Sequence, residues 1–168
     1  YKNGQKKEEG KYKDGMEDGK WTWWYENGNK HVEANFKEGK NNGRRTTFYF
    51  NGQKEFRQNF KDSVPDGNYT FWSENGRIRE KGNFKEGKQE GKLVSWHDNG
   101  KKYIEGSYKD GKRDGKWTFF NEDGQINSEQ GWKNGERDGK TTEWNENGQI
   151  ISESMWKDEE CISGDCPD

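Results

Sequence analysis

Gly106-Ser107-Tyr108-Lys109-Asp110-Gly111-Lys112-Arg113-Asp114-Gly115-Lys116-Trp117-Thr118-Phe119-Phe120-Asn121-Glu122-Asp123-Gly124 is the stretch that decides the fold. Its closing Asp123-Gly124 belongs to the dipeptides that tolerate positive φ and punctuate β-hairpins. The residues before it are aromatic and β-branched, the composition of a strand. Working outward, the closing glycine recurs every 24 residues: Gly4, Gly28, Gly52, Gly76, Gly100, Gly124 and Gly148. The 168 residues are therefore seven periods of one unit, and a fixed period of this size signals a repeat array.

The columns of the repeat are explicit. One is always aromatic: Tyr12, Phe36, Phe60, Phe84, Tyr108, Trp132, Trp156. A second is Trp24, Phe48, Trp72, Trp96, Phe120, Trp144. A third is lysine, from Lys13 to Lys157, each followed by an acidic or amide residue, which reads as a solvated turn flank. Further glycines recur at Gly19, Gly43, Gly67, Gly91, Gly115 and Gly139, and at Gly15, Gly39, Gly87, Gly111 and Gly135, with Ser63 and Glu159 as exceptions. Each unit reads as strand, two-residue Asn-Gly turn, strand, wider turn. The expected fold is all-β: an elongated, single-sheet antiparallel meander of about seven hairpin units. At roughly 4.8 Å per strand it would extend on the order of 60 Å. The array is expected over residues 1–157, its first unit incomplete, and a C-terminal cap over 158–168.

Composition supports this reading. Only 24% of residues are hydrophobic, and nine Trp, seven Tyr and nine Phe supply most of them, beside one Leu and one Ala. A helical bundle needs Leu and Ala, and a disordered chain would lack the rings. No apolar run approaches the roughly 20 residues of a membrane-spanning helix. Thirty Lys and Arg against 32 Asp and Glu give a net charge of −2, which argues against nucleic acid as the partner and does not support membrane contact.

Side-chain alternation places Trp117 and Phe119 on one side of their strand, Thr118 and Phe120 on the other. The two fixed aromatic columns are expected to share one face and form the core. Gly10, Ala34, Gly82 and Gly106 stand two residues before a fixed aromatic, so a missing side chain there leaves room for a neighbouring ring. The remaining rings, Trp21, Trp23, Tyr69, Phe71, Trp117 and Phe119, occur in alternate units, where Arg45, Thr47, Ser95, Thr141 and Glu143 stand elsewhere. The repeat does not demand them, so they are the candidate partner-binding residues; burial by sheet twist is the competing reading.

The columns resemble the membrane occupation and recognition nexus (MORN) repeat in its bacterial variant form. The shared pattern is Gly-x-aromatic-Lys-acid-Gly-Lys-x-x-Gly, then an aromatic strand, then Asn or Asp before Gly, and it spans Tyr1 to about Lys157. The resemblance implies hairpin arrays that bind by surface. Members are often described as YwqK-type antitoxins, and eukaryotic relatives as scaffolds. The chain is accordingly expected to be a non-enzymatic module that binds another protein, in a larger complex or as a scaffold. A toxin-neutralising antitoxin and glycan or anionic-lipid binding are the alternatives. No cofactor, metal site or catalytic residue is expected: His31 and His97 sit in different phases, and no phosphate-binding loop exists outside the repeat. Cys161 and Cys166, five apart, could close a disulfide, which would favour the cell envelope or secretion over the cytoplasm. The segment around them is expected to replace the next strand and cap the sheet edge, helped by Pro167.

Overall fold

The computed structural model describes residues 1–167; Asp168, the last residue of the expected cap, lies outside the described residues. The chain is all-β and antiparallel, and it falls into two compact units, Tyr1–Lys88 and a second from Gln89 onward. The first contains β1 (Glu8–Lys13), β2 (Met16–Trp24), β3 (Lys30–Lys37), β4 (Lys40–Asn41), β5 (Gly43–Phe48), β6 (Lys54–Lys61), β7 (Val64–Trp72) and β8 (Ile78–Lys85). A two-residue β9 (Lys88–Gln89) lies at the division. The second contains β10 (Gly91–Trp96), β11 (Lys102–Lys109), β12 (Lys112–Arg113), β13 (Gly115–Phe120), β14 (Ile126–Lys133), β15 (Glu136–Trp144), β16 (Ile150–Lys157) and β17 (Glu160–Gly164). Within each unit successive strands pair as a meander.

The two turn types are exchanged relative to the sequence expectation. The two-residue turn with both residues left-handed is Asp14-Gly15 (φ 51° and 76°), and its equivalents recur at every repeat. That is the backbone a type I′ hairpin requires. Ser63 (φ 67°) and Glu159 (φ 69°) adopt it without being glycine. At Asn27-Gly28 only the glycine has positive φ, at 86°. Gly28 N–H donates to Tyr25 O at 3.0 Å and Tyr25 N–H to Asn29 O at 2.8 Å. This is a three-residue loop closed by a left-handed glycine, and the asparagine serves through its side chain. Asn27 Nδ2 reaches Phe50 O at 2.8 Å, one repeat on. Asn3, Asn51 and Asn99 repeat the bond to Glu26, Glu74 and Glu122. Beside it runs a second ladder: Tyr1, Tyr25 and Tyr49 donate to Trp24, Phe48 and Trp72 carbonyls, and His97 Nε2 meets Phe120 O at 2.9 Å. His97 thus fills a tyrosine position, and His31 stacks on Tyr25 at 4.3 Å.

Register decides which face each ring occupies. Gly19 pairs with Phe36, Trp21 with Ala34 and Trp23 with Val32. Cross-strand partners share a face, so the column of Phe36 lies with Trp21 and Trp23. Trp24, of opposite parity, lies on the other side. The two fixed aromatic columns therefore occupy opposite faces, not one. Their first-strand neighbours form a buried row down the aromatic face, running Gly10, Trp21, Ala34, Arg45, Gln58, Tyr69 and Gly82 in the first unit. In the second unit the row is Leu93, Gly106, Trp117, Gln130, Thr141 and Ser154. Each buried ring has a small neighbour in the row: Trp21 stands between Gly10 and Ala34, Tyr69 beside Gly82, and Trp117 beside Gly106. A Cβ on Gly106 would lie 2.7 Å from Trp117 Cε3, one on Gly82 2.6 Å from Tyr69 Cε1, and one on Gly10 2.6 Å from Trp21 Cε3. The rings lie across the glycines, which is how a single-layer sheet buries them.

The C-terminal segment also differs from expectation. Cys161-Ile162-Ser163-Gly164 is not a replacement for a strand. It is β17, paired with β16 through Lys157↔Glu160, Trp156↔Cys161, Met155↔Ser163 and Ser154↔Gly164. Asp165 extends the contact by donating its N–H to Glu153 O at 2.8 Å and accepting from Glu153 N–H at 2.9 Å. Cys161 and Cys166 are joined in a disulfide with Cα atoms 5.7 Å apart.

Candidate functional site

The aromatic face carries all six rings proposed from sequence, and burial divides them. Trp21, Tyr69 and Trp117 are only 5%, 3% and 1% exposed. Their expected exposure is corrected here: the small residues beside them let the indoles and the phenol lie flat against backbone. Trp21 Nε1–H donates to Lys11 O at 3.2 Å and Trp117 Nε1–H to Ser107 O at 3.1 Å, so even their polar atoms are satisfied. Around them stand the fixed aromatics of the same face. Tyr12 and Tyr108 pack edge-on against Trp21 and Trp117 at 4.9 and 5.0 Å, and Phe84 tilts onto Tyr69 at 5.2 Å. Tyr12, read from sequence as core, is 65% exposed because it stands on β1, which pairs only with β2 among the described residues of its unit.

Trp23, Phe71 and Phe119 remain at the surface. Trp23 and Phe119 are half-buried and Phe71 is 42% exposed. The structure adds a residue that the repeat columns do not mark: Phe56, paired across strands with Phe71, stacks on it with ring centroids 4.3 Å apart. Phe56 falls in a column otherwise held by Glu8, Val32, Glu80, Ile104, Ser128 and Ser152, and only its register reveals the contact. Trp23 leans on Phe36 at 6.1 Å and stacks on Trp21 at 5.6 Å. In the second unit the same row reads Ser95, Ile104, Phe119 and Ser128 and offers one ring. That row therefore carries three rings in the first unit, Trp23, Phe56 and Phe71, against one in the second.

The opposite face is built of charge over buried threonine. Thr22, Thr46 and Thr70 are buried between charged neighbours in the first unit, as are Thr118 and Thr142 in the second. Glu33 accepts Lys20 at 2.8 Å and Lys30 at 2.7 Å. Burial alone would raise its carboxyl pKa, but the two lysines outweigh it and hold the group below the usual carboxylate value. Glu105 is lowered chiefly by hydrogen bonds from Lys102 and Lys92, against a smaller opposing effect of burial. A groove of about 790 Å³ runs beside Trp24, lined by Lys11, Lys20, Lys30, Glu9 and Glu33 among others. Among the described residues no three His, Cys, Asp or Glu side chains gather as metal ligands. Several carboxylates are engaged by lysines, and others by turn amides, as where Asp110 N–H donates to Glu90 Oε2 at 2.9 Å.

The repeat seen in the strands is matched by a family model. The MORN repeat variant model matches six consecutive segments, 17–38, 41–62, 65–86, 89–110, 113–134 and 137–158. No curated protein matches the chain. Each matched segment opens at the strand after a type I′ turn and closes at the next such turn, so the family unit and the structural unit coincide. Those six segments take in well over half of the residues, and the chain belongs to the MORN repeat variant family.

Proposed function

We propose that the chain is a non-catalytic module that binds another protein, and that the first unit's aromatic face makes the contact. The observation that carries this reading is Phe71, left 42% exposed while stacked at 4.3 Å on Phe56. A large ring held rigid at the surface loses little side-chain entropy on binding, and such rings dominate protein contacts. Trp23 extends the same row, and Phe119 is its counterpart in the second unit.

A photo-crosslinking amino acid at position 71, with a control at Lys116 on the opposite face, tests the reading in the source cell. Capture of one discrete protein from position 71 and not from position 116 is expected. Phe71→Ser should reduce copurification of that protein at least tenfold while the melting temperature stays within about 2 °C. Identical capture from both positions, or a Phe71→Ser variant that retains its partner, would overturn the assignment. A toxin-neutralising role is a special case of the same module, in which the captured protein is the product of a neighbouring gene.

A further inference from the structure

The net charge of −2 conceals an uneven distribution on the charged face. One row of that face pairs across strands through the buried threonines. In the second unit it presents Glu105, Glu129 and Glu153, each ion-paired with a lysine: Lys92 and Lys102 at 2.5 Å, Lys116 at 2.7 Å, and Lys140. In the first unit the same row runs Glu9, Glu33, Arg57. The sign changes, and the neighbouring row stays basic with Lys20 and Arg44. Lys6 pairs with Glu9, and Lys20 and Lys30 share Glu33. Among the described residues Lys11, Arg44, Lys54 and Arg57 have no carboxylate partner. Arg44 and Lys20 line a second groove of about 430 Å³ with Asn35 and Asn59, continuous through Lys20 and Glu33 with the lining of the larger one.

We infer that the charged face of Tyr1–Lys88 is a docking surface for an acidic, Asp/Glu-rich protein segment. Charge complementarity selects an anion. The rings select among anions. Trp24 is covered by Lys6 at 5.4 Å, and Trp72 by Lys54 at 5.9 Å and Arg57 at 5.3 Å. Ring faces capped by cations offer no stacking platform, which single-stranded nucleic acid and sugars use. A short acidic segment senses this local field, because salt screens charges beyond about 8 Å. A long polyanion would also meet the acids that bring the whole chain to −2. This surface lies on the other side of the sheet from Phe71, so the inference stands apart from the aromatic contact.

Fluorescence anisotropy of the full chain with a fluorescein-labelled twelve-residue poly-glutamate peptide tests it, alongside a labelled twelve-nucleotide poly-dT. Peptide binding is expected at 50 mM salt, weakened at least tenfold at 300 mM. Arg44→Glu with Arg57→Glu should abolish it, and the milder Arg44→Gln with Arg57→Gln should weaken it several-fold at unchanged melting temperature. Lys116→Glu, in the acidic second unit where Lys116 is already paired with Glu129, should alter it less than twofold, as should Phe71→Ser. Absence of peptide binding, equal loss from Lys116→Glu, or tighter binding of the oligonucleotide would each overturn the inference.

Discussion

Gly106→Ala tests the packing logic of the aromatic face directly. Gly106 has an ordinary strand backbone, since it is absent from the left-handed residues. In such a backbone alanine is normally the better residue, by about 0.5–1 kcal/mol. Here the new methyl would lie 2.7 Å from Trp117 Cε3 and closer still to Cδ2 and Cε2. Trp117 is 1% exposed, donates to Ser107 O at 3.1 Å and is covered by the Arg113 guanidinium 4.5 Å from its centroid. The ring must move by about an ångström, and overpacking of this kind costs about 1–3 kcal/mol. Disturbing the indole hydrogen bond adds about 1 kcal/mol. The net expectation is a loss of about 2 kcal/mol, or about 4–8 °C in melting temperature for a chain of this size. Trp117→Leu, which places in this column the residue that Leu93 already supplies one repeat earlier, should remove the conflict. In that background Gly106→Ala should be neutral or slightly stabilising. A thermal and urea double-mutant cycle should therefore show a coupling of about 2 kcal/mol. A coupling below about 0.5 kcal/mol, or a Gly106→Ala protein that melts with the wild type, would refute the account of how the rings are buried.

Two further predictions concern the polar frame. The carboxyls of Glu33 and Glu105 are held below the ordinary value, so their contribution is complete above the unfolded value of about 4.3 and lost as pH falls through the lower folded value. Urea midpoints should be flat from pH 7 to about 5 and fall below it, with a shallower acid limb for Glu33→Gln and Glu105→Gln. Tyr49→Phe removes the bond to Trp72 O at 2.8 Å and should cost about 0.5–1.5 kcal/mol. Burial first, then the charges of Glu55 and Glu74, raise the Tyr49 phenol pKa. The deficit of the variant should therefore be constant below about pH 10 and shrink as pH rises through the raised folded value.

The glycine period, the fixed rings and the hairpin meander are all visible in the sequence, because turns and strand alternation are local. Facing is not local, and there the reading divides. Counting outward from Asn27-Gly28 pairs Gly19 with Phe36, which already sets Phe36 and Trp24 on opposite faces. Two columns that are both always aromatic suggest one core, and that similarity hides the parity. Trp21, Tyr69 and Trp117 read as dispensable because Arg45 and Thr141 stand at the same position in other repeats. They are buried because Gly10, Gly82 and Gly106 vary in concert with them, a compensation that needs the register to be seen. The turns misled for another reason. Asn-Gly favours a two-residue turn by itself, but here the amide of Asn27 binds the next repeat, so the asparagine is selected by its neighbour in space. Phe71 with Phe56, and Arg57 in a glutamate row, depend on cross-strand pairing and could not be read from either strand alone.

The ladders of side chains that join Asn-Gly loops one repeat apart have a consequence for how such a chain can change in length. Tyr25 and Asn27 find their acceptors at Phe48 and Phe50, both 23 residues on. The loops at Tyr1–Asn3, Tyr25–Asn27, Tyr49–Asn51 and His97–Asn99 each donate in this way to the loop one repeat on. Excision or duplication of 24 residues rejoins like to like and leaves each surviving bond intact. A net gain or loss that is not a whole repeat slides donors past their carbonyls, and an odd one also turns one strand's side chains over. Chain length in this architecture is quantised, and recombination between equivalent positions of two repeats is the change it tolerates best.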